Sequence, residues 1–300
     1  MTQSNDFILP FQLESSGIRG RIVRIEDVMD AILAAHKTYP EDVLHLTGEM
    51  LVLCAILSSM LKYDGVFTLQ AQGDGPVKML VADMTGGGAI RACATFKEED
   101  LKERKVIQNR TELLGKGYIA FTVDQGEFTD RYQGIVELKD GPLMDSVQNY
   151  FVQSEQIATG IMMAVGKVDG AWRGCGVMVQ QMPEEGGKVR DQSNVDEDDW
   201  RRTMVLLGSV KKEELLSSDL GAQDILFRLF HEEGVRVFDP QPLVKTCRCS
   251  PDRVRHILAT MSDEDIHDIT VDGTIVMTCE FCSTDYTFGP EEFLKKGISS

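Results

Sequence analysis

The sequence predicts an α+β protein: a core of mostly antiparallel sheet with helices, then a helical linker, then a small cysteine-rich C-terminal domain. Three observations carry that reading. Strand-like and helix-like segments come in runs, without the regular βαβ alternation of a doubly wound fold. The composition turns acidic after Pro183, where residues 184–199 hold seven acids and two bases. Four of the seven cysteines fall within the 36 residues from Cys247 to Cys282, while Cys54, Cys93 and Cys175 stand singly. These shifts place the core at 1–183, an acidic then helical linker at 184–240 and the C-terminal domain at 241–300. A chain of 300 residues has room for that division at roughly 150 residues per domain.

Ile18 to Ile25 is apolar-rich and reads as a strand. Glu26 to His36, with Val28, Ala31, Ile32 and Ala35 on one face, reads as an amphipathic helix that Tyr39-Pro40 breaks. Pro40 opens a longer helix through Met50 to Leu61, apolar nearly all round and so expected to be buried on every side. Phe67, Leu69 and Ala71 alternate with polar residues, Gln72-Gly73-Asp74-Gly75-Pro76 is turn chemistry, and Val77 to Ala82 returns as a second strand. Ile90 to Phe96, Tyr118 to Val123 and Tyr132 to Leu138 each suit a strand, and Pro142 to Gln156 a helix. Ile161 to Val168 and Trp172 to Met182 form a closing hairpin. Past the acidic stretch, Ser193 or Asn194 caps a helix with Trp200, Met204 and Leu207 on its apolar face and Gly208 as punctuation. A further helix from Ala222 to Glu233 aligns Ile225, Leu226, Leu229 and Phe230 and stops at Gly234. Phe238-Asp239-Pro240-Gln241-Pro242 then forces an extended path into the tail.

Lys and Arg total 31 against 48 Asp and Glu, a net charge of −17. Nucleic acid and anionic membrane surfaces need a surplus of bases on at least one face, so both are disfavoured as partners. The run Met50 to Leu61 falls well short of the ~20 residues of a membrane-spanning helix. The opening MTQSNDFILP shows neither the basic nor the apolar region of a secretory signal. The expectation is a cytoplasmic chain in a reducing compartment, where clustered cysteines favour metal binding or redox chemistry over a disulfide framework.

The clustered cysteines stand as Cys247-x-Cys249, then 29 residues, then Cys279-x-x-Cys282. Two close pairs far apart in sequence suit a tetrahedral four-thiolate zinc site, with Zn–S bonds of ~2.3 Å and one tight turn supplying each pair. Ser250-Pro251 is an N-cap followed by proline at the first helical position, and Val254, Ile257, Leu258 and Met261 continue at helical spacing. The first pair therefore precedes a helix N-terminus, whose partial positive charge favours thiolate. The second pair is expected in a loop between the strands Thr274 to Thr278 and Tyr286 to Phe288. The C-terminal domain is thus predicted to be a zinc-binding domain holding one Zn2+ through Cys247, Cys249, Cys279 and Cys282. Four thiolates leave no open coordination position for hydrolysis. Spacing alone supports a structural site and leaves redox switching open. A unit this small buries little surface, so metal binding would supply most of its folding free energy.

Other readings are weaker. Gly86-Gly87-Gly88 lacks the Gly-Lys-Ser/Thr ending of a phosphate loop and reads as a turn. Cys54, Cys93 and Cys175 read as small core residues, and His256 and His267 as surface residues. A thiol oxidoreductase would place Cys279-Glu280-Phe281-Cys282 at a strand-to-helix turn, not before another strand. No catalytic residue is assigned. A constitutive zinc-stabilised interaction module remains the alternative.

The chain resembles the bacterial redox-regulated holdase chaperones, the 33 kDa heat-shock protein family. In the tail the matching residues are Phe238-Asp239-Pro240-Gln241-Pro242, Cys247-Arg248-Cys249-Ser250, Cys279-Glu280-Phe281-Cys282 and Tyr286-x-Phe288. In the front half they are Gly17-Ile18-Arg19-Gly20-Arg21, Tyr39-Pro40, Leu69 to Val77, Tyr132-Gln133-Gly134-Ile135-Val136 and Tyr150-Phe151-x-Gln153-Ser154-Glu155-Gln156. The resemblance implies an ATP-independent chaperone that is reduced, zinc-bound and inactive at rest. It further implies that oxidation joins Cys247 to Cys249 and Cys279 to Cys282, expels zinc and loosens the linker. The active form would be a homodimer that holds unfolding client proteins.

Overall fold

The computed structural model describes residues 5–61, 63–103, 109–125, 132–181 and 193–294. The acidic stretch 184–192, and the expected strand end at Met182, lie outside the described residues. The chain forms two compact units, 1–245 and 246–300.

The first unit begins with β1 (Phe7–Leu13), β2 (Ile18–Ile25), α1 (Asp27–Leu33) and α2 (Glu41–Ser58). A meander follows of β3 (Val66–Gly73), β4 (Val77–Thr85) and β5 (Ala89–Phe96), then α3 (Glu98–Glu103), β6 (Gly117–Asp124) and β7 (Tyr132–Glu137). Next come α4 (Leu143–Tyr150), β8 (Thr159–Val168) and β9 (Ala171–Gln181). The unit ends with α5 (Ser193–Gly208), α6 (Lys212–Leu215), α7 (Ala222–Phe230), β10 (Val235–Val237), β11 (Gln241–Pro242) and β12 (Val244–Lys245).

The strands make two sheets, ordered β10-β1-β2-β9-β8, with β11 also on β1, and β12-β5-β4-β3-β6-β7. All the pairings are antiparallel except β12 on β5. The α+β expectation holds, and the physical reason is visible in α2. That helix is apolar all round because it packs between the two sheets, burying residues from Val43 to Ser58 on every side. Close approach is what β9 needs there: a Cβ on Gly174 or Gly176 would lie 2.7 Å from a Val52 methyl.

The other face of the first sheet carries a second core. Leu9, Phe11, Ile22, Val177 and Val179 are covered by Leu207 of α5, Leu215 of α6, and Ile225, Leu226, Leu229 and Phe230 of α7. The helical part of the expected linker is thus packed against a sheet within unit 1–245. Arg24, buried on β2, pins this layer by donating to the carbonyls of Ser217 and Leu220. Glu233 is a second clamp: its carboxylate accepts from Arg202 at 2.5 and 2.9 Å and from the Ser15 hydroxyl at 2.7 Å.

These hydrogen bonds, with Arg202 foremost, hold the Glu233 carboxyl below the usual range. A depressed folded pKa contributes stability above the ordinary Glu value of ~4.3, and that stability is lost as pH falls through the lower folded value. Glu233→Gln should therefore lower the opening free energy of the helical layer by about 1–3 kcal/mol at neutral pH and flatten its acid dependence. Hydrogen exchange of α5 and α7 between about pH 3 and 7 reads this; an unchanged profile would count against the clamp.

Three expectations are corrected. The strand β1 is absent from the sequence reading because Pro10 interrupts its pattern; its carbonyl nevertheless accepts from Phe238 at 3.0 Å. The helix expected over Glu26 to His36 spans only α1, whose start is capped from outside, the Asp6 carboxylate accepting from Glu26 and Val28 amides at 2.7 and 3.0 Å. The helix expected to Gln156 stops at Tyr150 and continues as a wider π-helical turn, Phe151–Glu155, closed by left-handed Gln156 at φ +56°.

The second unit contains α8 (Pro251–Leu258), α9 (Asp263–Asp268), β13 (Thr270–Val271), β14 (Thr274–Thr278) and β15 (Asp285–Phe288). Its strands form one antiparallel sheet, and its core of buried residues is Leu258, Ile266, Ile275 and Phe288. No described helix in either unit is long and apolar enough to cross a membrane.

Candidate metal centre

Both cysteine pairs owe their positions to short-range backbone geometry. Ser250 caps α8, its hydroxyl accepting from the Arg253 amide at 3.2 Å, and Arg253 Nη1 donates to the Arg248 carbonyl at 2.9 Å. That folds Cys247-Arg248-Cys249 back over the start of the helix. The second pair lies in the turn between β14 and β15. The Cys279 amide donates to Thr284 at 2.9 Å, while the Cys279 carbonyl accepts from Cys282 at 3.3 Å and Ser283 at 2.8 Å. Ser283, at φ +54°, turns the chain into β15.

All four sulfurs lie within 4.8 Å of one another. Cys247 Sγ is 3.7 Å from Cys279 Sγ, and Cys249 Sγ is 3.4 Å from Cys282 Sγ. A tetrahedron with metal–sulfur bonds of ~2.3 Å has sulfur–sulfur edges of about 3.8 Å, so the residues present fit a thiolate-bound cation. Burial pushes the Cys279 thiol up to about 12 despite amide hydrogen bonds, and the nearby sulfurs of Cys282 and Cys247 add to the rise. Burial also raises Cys249, and Cys247 and Cys282 reinforce it. A bound cation reverses this, because metal binding displaces the thiol proton.

The structure adds one residue to the set. The Tyr286 hydroxyl donates to Cys249 Sγ at 3.0 Å, and this contact raises the Tyr286 phenol to about 12. Its place four residues past Cys282, on the strand leaving the turn, was the available signal. Tyr286→Phe should weaken metal affinity about tenfold, as loss of a hydrogen bond to a ligand does. Competition with a chromogenic chelator measures this, and an unchanged affinity would remove Tyr286 from the centre.

The remaining candidates lie elsewhere. Cys54, Cys93 and Cys175 are buried in the first unit. Burial drives the Cys54 thiol well up and Cys175 up to about 12, so neither is a ready nucleophile. His256 and His267 are exposed and outside the sulfur cluster. Gly86-Gly87-Gly88 makes the turn between β4 and β5.

The family model described as Hsp33 protein matches residues 6–289. A 33 kDa chaperonin of Caulobacter vibrioides is 36% identical over 294 residues, covering 95% of each chain. One from Escherichia coli is 34% identical over 285 residues, covering 95% of this chain and 92% of its own. A crystal structure of the 33 kDa chaperonin (heat shock protein 33 homolog) of Thermotoga maritima superposes with a TM-score of 0.77 at 21% identity, covering 96% of both chains. At that identity the likeness is one of fold. With a match over nearly its whole length, this chain belongs to the Hsp33 protein family, a family of chaperones and not of enzymes.

Proposed function

We propose that the protein is a redox-regulated, ATP-independent holdase of the cytoplasm, acting in the stress response and held inactive when reduced and zinc-bound. The observation that carries this reading is a cluster of four cysteine sulfurs within 4.8 Å, in a unit whose fully buried apolar side chains, among the described residues, are Leu258, Ile266, Ile275 and Phe288. When bound, zinc supplies the positive charge that keeps the four thiols as thiolates, through Cys247, Cys249, Cys279 and Cys282.

Oxidation joins Cys247 to Cys249 and Cys279 to Cys282. Each pair of thiolates gives up two electrons as its S–S bond forms; a peroxide takes them up with two protons from solvent and leaves as two waters, and the sulfurs cease to be metal ligands. The tail then unfolds from residue 246 onward, the part of the expected domain 241–300 that forms the second unit, and the linker, 184–240, loosens. Within it, α5 to α7 leave the first sheet, so that Leu9, Phe11, Ile22, Val177 and Val179 become accessible to unfolding clients. A homodimer would be the active form. The net charge of −17 supports protein clients rather than nucleic acid or membrane as partners.

The test compares aggregation of a thermally unfolding client with reduced and with peroxide-treated protein while zinc release is recorded. The expected result is suppression by the oxidised form alone, in step with zinc loss. Equal suppression by both forms would favour a constitutive zinc-stabilised interaction module, and turnover of a disulfide substrate would favour an oxidoreductase.

A further inference from the structure

Three stretches of the family resemblance take no part in the sulfur cluster: Arg19-Gly20-Arg21 on β2, Tyr132-Gln133-Gly134 on β7, and Tyr150 to Glu155 at the end of α4. In the first unit they meet around one cavity of ≈ 320 Å³. Its apolar wall is Leu57, Phe67, Phe121 and Phe151, and its polar residues include Arg19, Arg21, Tyr132, Tyr150 and Glu155.

The acidic side of this cavity is satisfied internally. Tyr132 and Tyr150 both donate to Glu155 Oε1, at 2.5 and 2.6 Å, and hold that carboxyl below its usual range. The π-helical turn brings Glu155 back to the two phenols, and such turns recur at functional sites. Gly134 leaves the room this needs, since a Cβ there would lie 2.3 Å from Phe121 and 2.7 Å from the Tyr150 hydroxyl.

The basic side is not. Arg21 is half-buried, and Nε donates to the Ser59 carbonyl at 3.2 Å. Among the described residues neither Arg21 nor Arg19 has an ion-pair partner. Burial first, and then the like charge of Arg19, lower the Arg21 pKa. In a chain with 48 acids against 31 bases, two guanidiniums that pair with no carboxylate stand out, on a cavity whose own carboxylate, Glu155, is taken up by two phenols. Arg19 is exposed at the rim, and Arg21, the half-buried one, holds the charge that is costly to leave unpaired.

We propose that this cavity binds a small amphipathic anion, an aliphatic carboxylate whose head lies between Arg19 and Arg21 and whose chain lies along Leu57, Phe67 and Phe121. The volume is at the lower end of the range for small-molecule sites and suits a single chain. The site is independent of the sulfur cluster, so its test does not depend on the redox reading.

Full-length reduced, zinc-loaded protein is titrated by calorimetry with decanoate, decanol and acetate, each below any micelle concentration. Decanoate should bind saturably at one site, acetate should show no binding, and decanol should bind at least roughly tenfold more weakly, because its hydroxyl lacks the charge and the second acceptor oxygen that a carboxylate offers a guanidinium. Arg21→Gln should bring decanoate to the affinity of decanol and leave decanol unchanged. Leu61→Glu is a second variant at the cavity, 40% exposed and therefore tolerant of substitution, and it should weaken decanoate selectively. No saturable binding, equal affinity for decanoate and decanol, or indifference to both substitutions would overturn the proposal. Displacement of decanoate by an uncharged apolar peptide with equal affinity would assign the cavity to protein segments instead.

Discussion

Chelating the metal from reduced protein, or changing Cys279 to Ser, should unfold residues 246–300 and leave both sheets of the first unit intact. The second unit is a small body whose buried apolar side chains, among the described residues, are Leu258, Ile266, Ile275 and Phe288, and bodies of this size rarely fold unaided. Zinc bound to four thiolates contributes about 10–16 kcal/mol in comparable small sites, far more than such a core. Cys279→Ser tests the sulfur alone, because the substitution keeps the backbone of the turn. The Cys279 sulfur belongs to the cluster, whereas its carbonyl, which accepts the Cys282 and Ser283 amides that close the turn, stays in place. Amide exchange together with zinc stoichiometry checks the result. Retained zinc with retained protection in β14 and β15 would rule out a four-thiolate centre as the keystone of this unit.

Phe230→Ala should turn the reduced, zinc-loaded protein into a holdase. Phe230 is 0% exposed and stacks on Phe11 with ring centroids 5.9 Å apart, at the junction of α7 and the first sheet. Removing a buried phenylalanine costs about 3–5 kcal/mol, and here the loss falls on the layer that covers the apolar face. Suppression of client aggregation without oxidant is the expected readout, with increased binding of a hydrophobic dye. Val205→Ser on α5, at a side chain 68% exposed, should leave the reduced protein inactive. If Phe230→Ala opens the layer in hydrogen exchange yet holds no client in the reduced state, the covered face is not the client surface.

What was legible in the sequence depended on whether the signal was local. The pairing of β3 with β4 and of β8 with β9 follows from alternation and turn residues within a short window, and α2 from a long apolar run after Pro40. The Ser250 cap and the turn after Thr278 were equally local, which is why the four cysteines could be named together. Long-range features were not legible. Asp6 caps a helix that begins 21 residues later, and β1 finds its partners at both ends of its unit. Tyr286 could be quoted as part of a motif, but its bond to Cys249 needed the folded β14–β15 hairpin. The meeting of Arg21, Tyr132, Tyr150 and Glu155 needed four separate elements in place.

The position of β1 has a consequence for synthesis. Phe11 pairs with Gly20 on one side and with Val237 on the other, and Phe7 pairs with Pro242. The strand therefore completes its hydrogen bonding with segments that lie far later in the chain. Pairings of such sequence separation form slowly, and a ribosome adding roughly 5–20 residues per second must deliver most of the chain before the sheet can close. During that interval the nascent protein carries Leu9, Phe11 and Ile22 without their helical cover. A member of a chaperone family thus passes, on its own way off the ribosome, through a state with the aggregation hazard that its clients present.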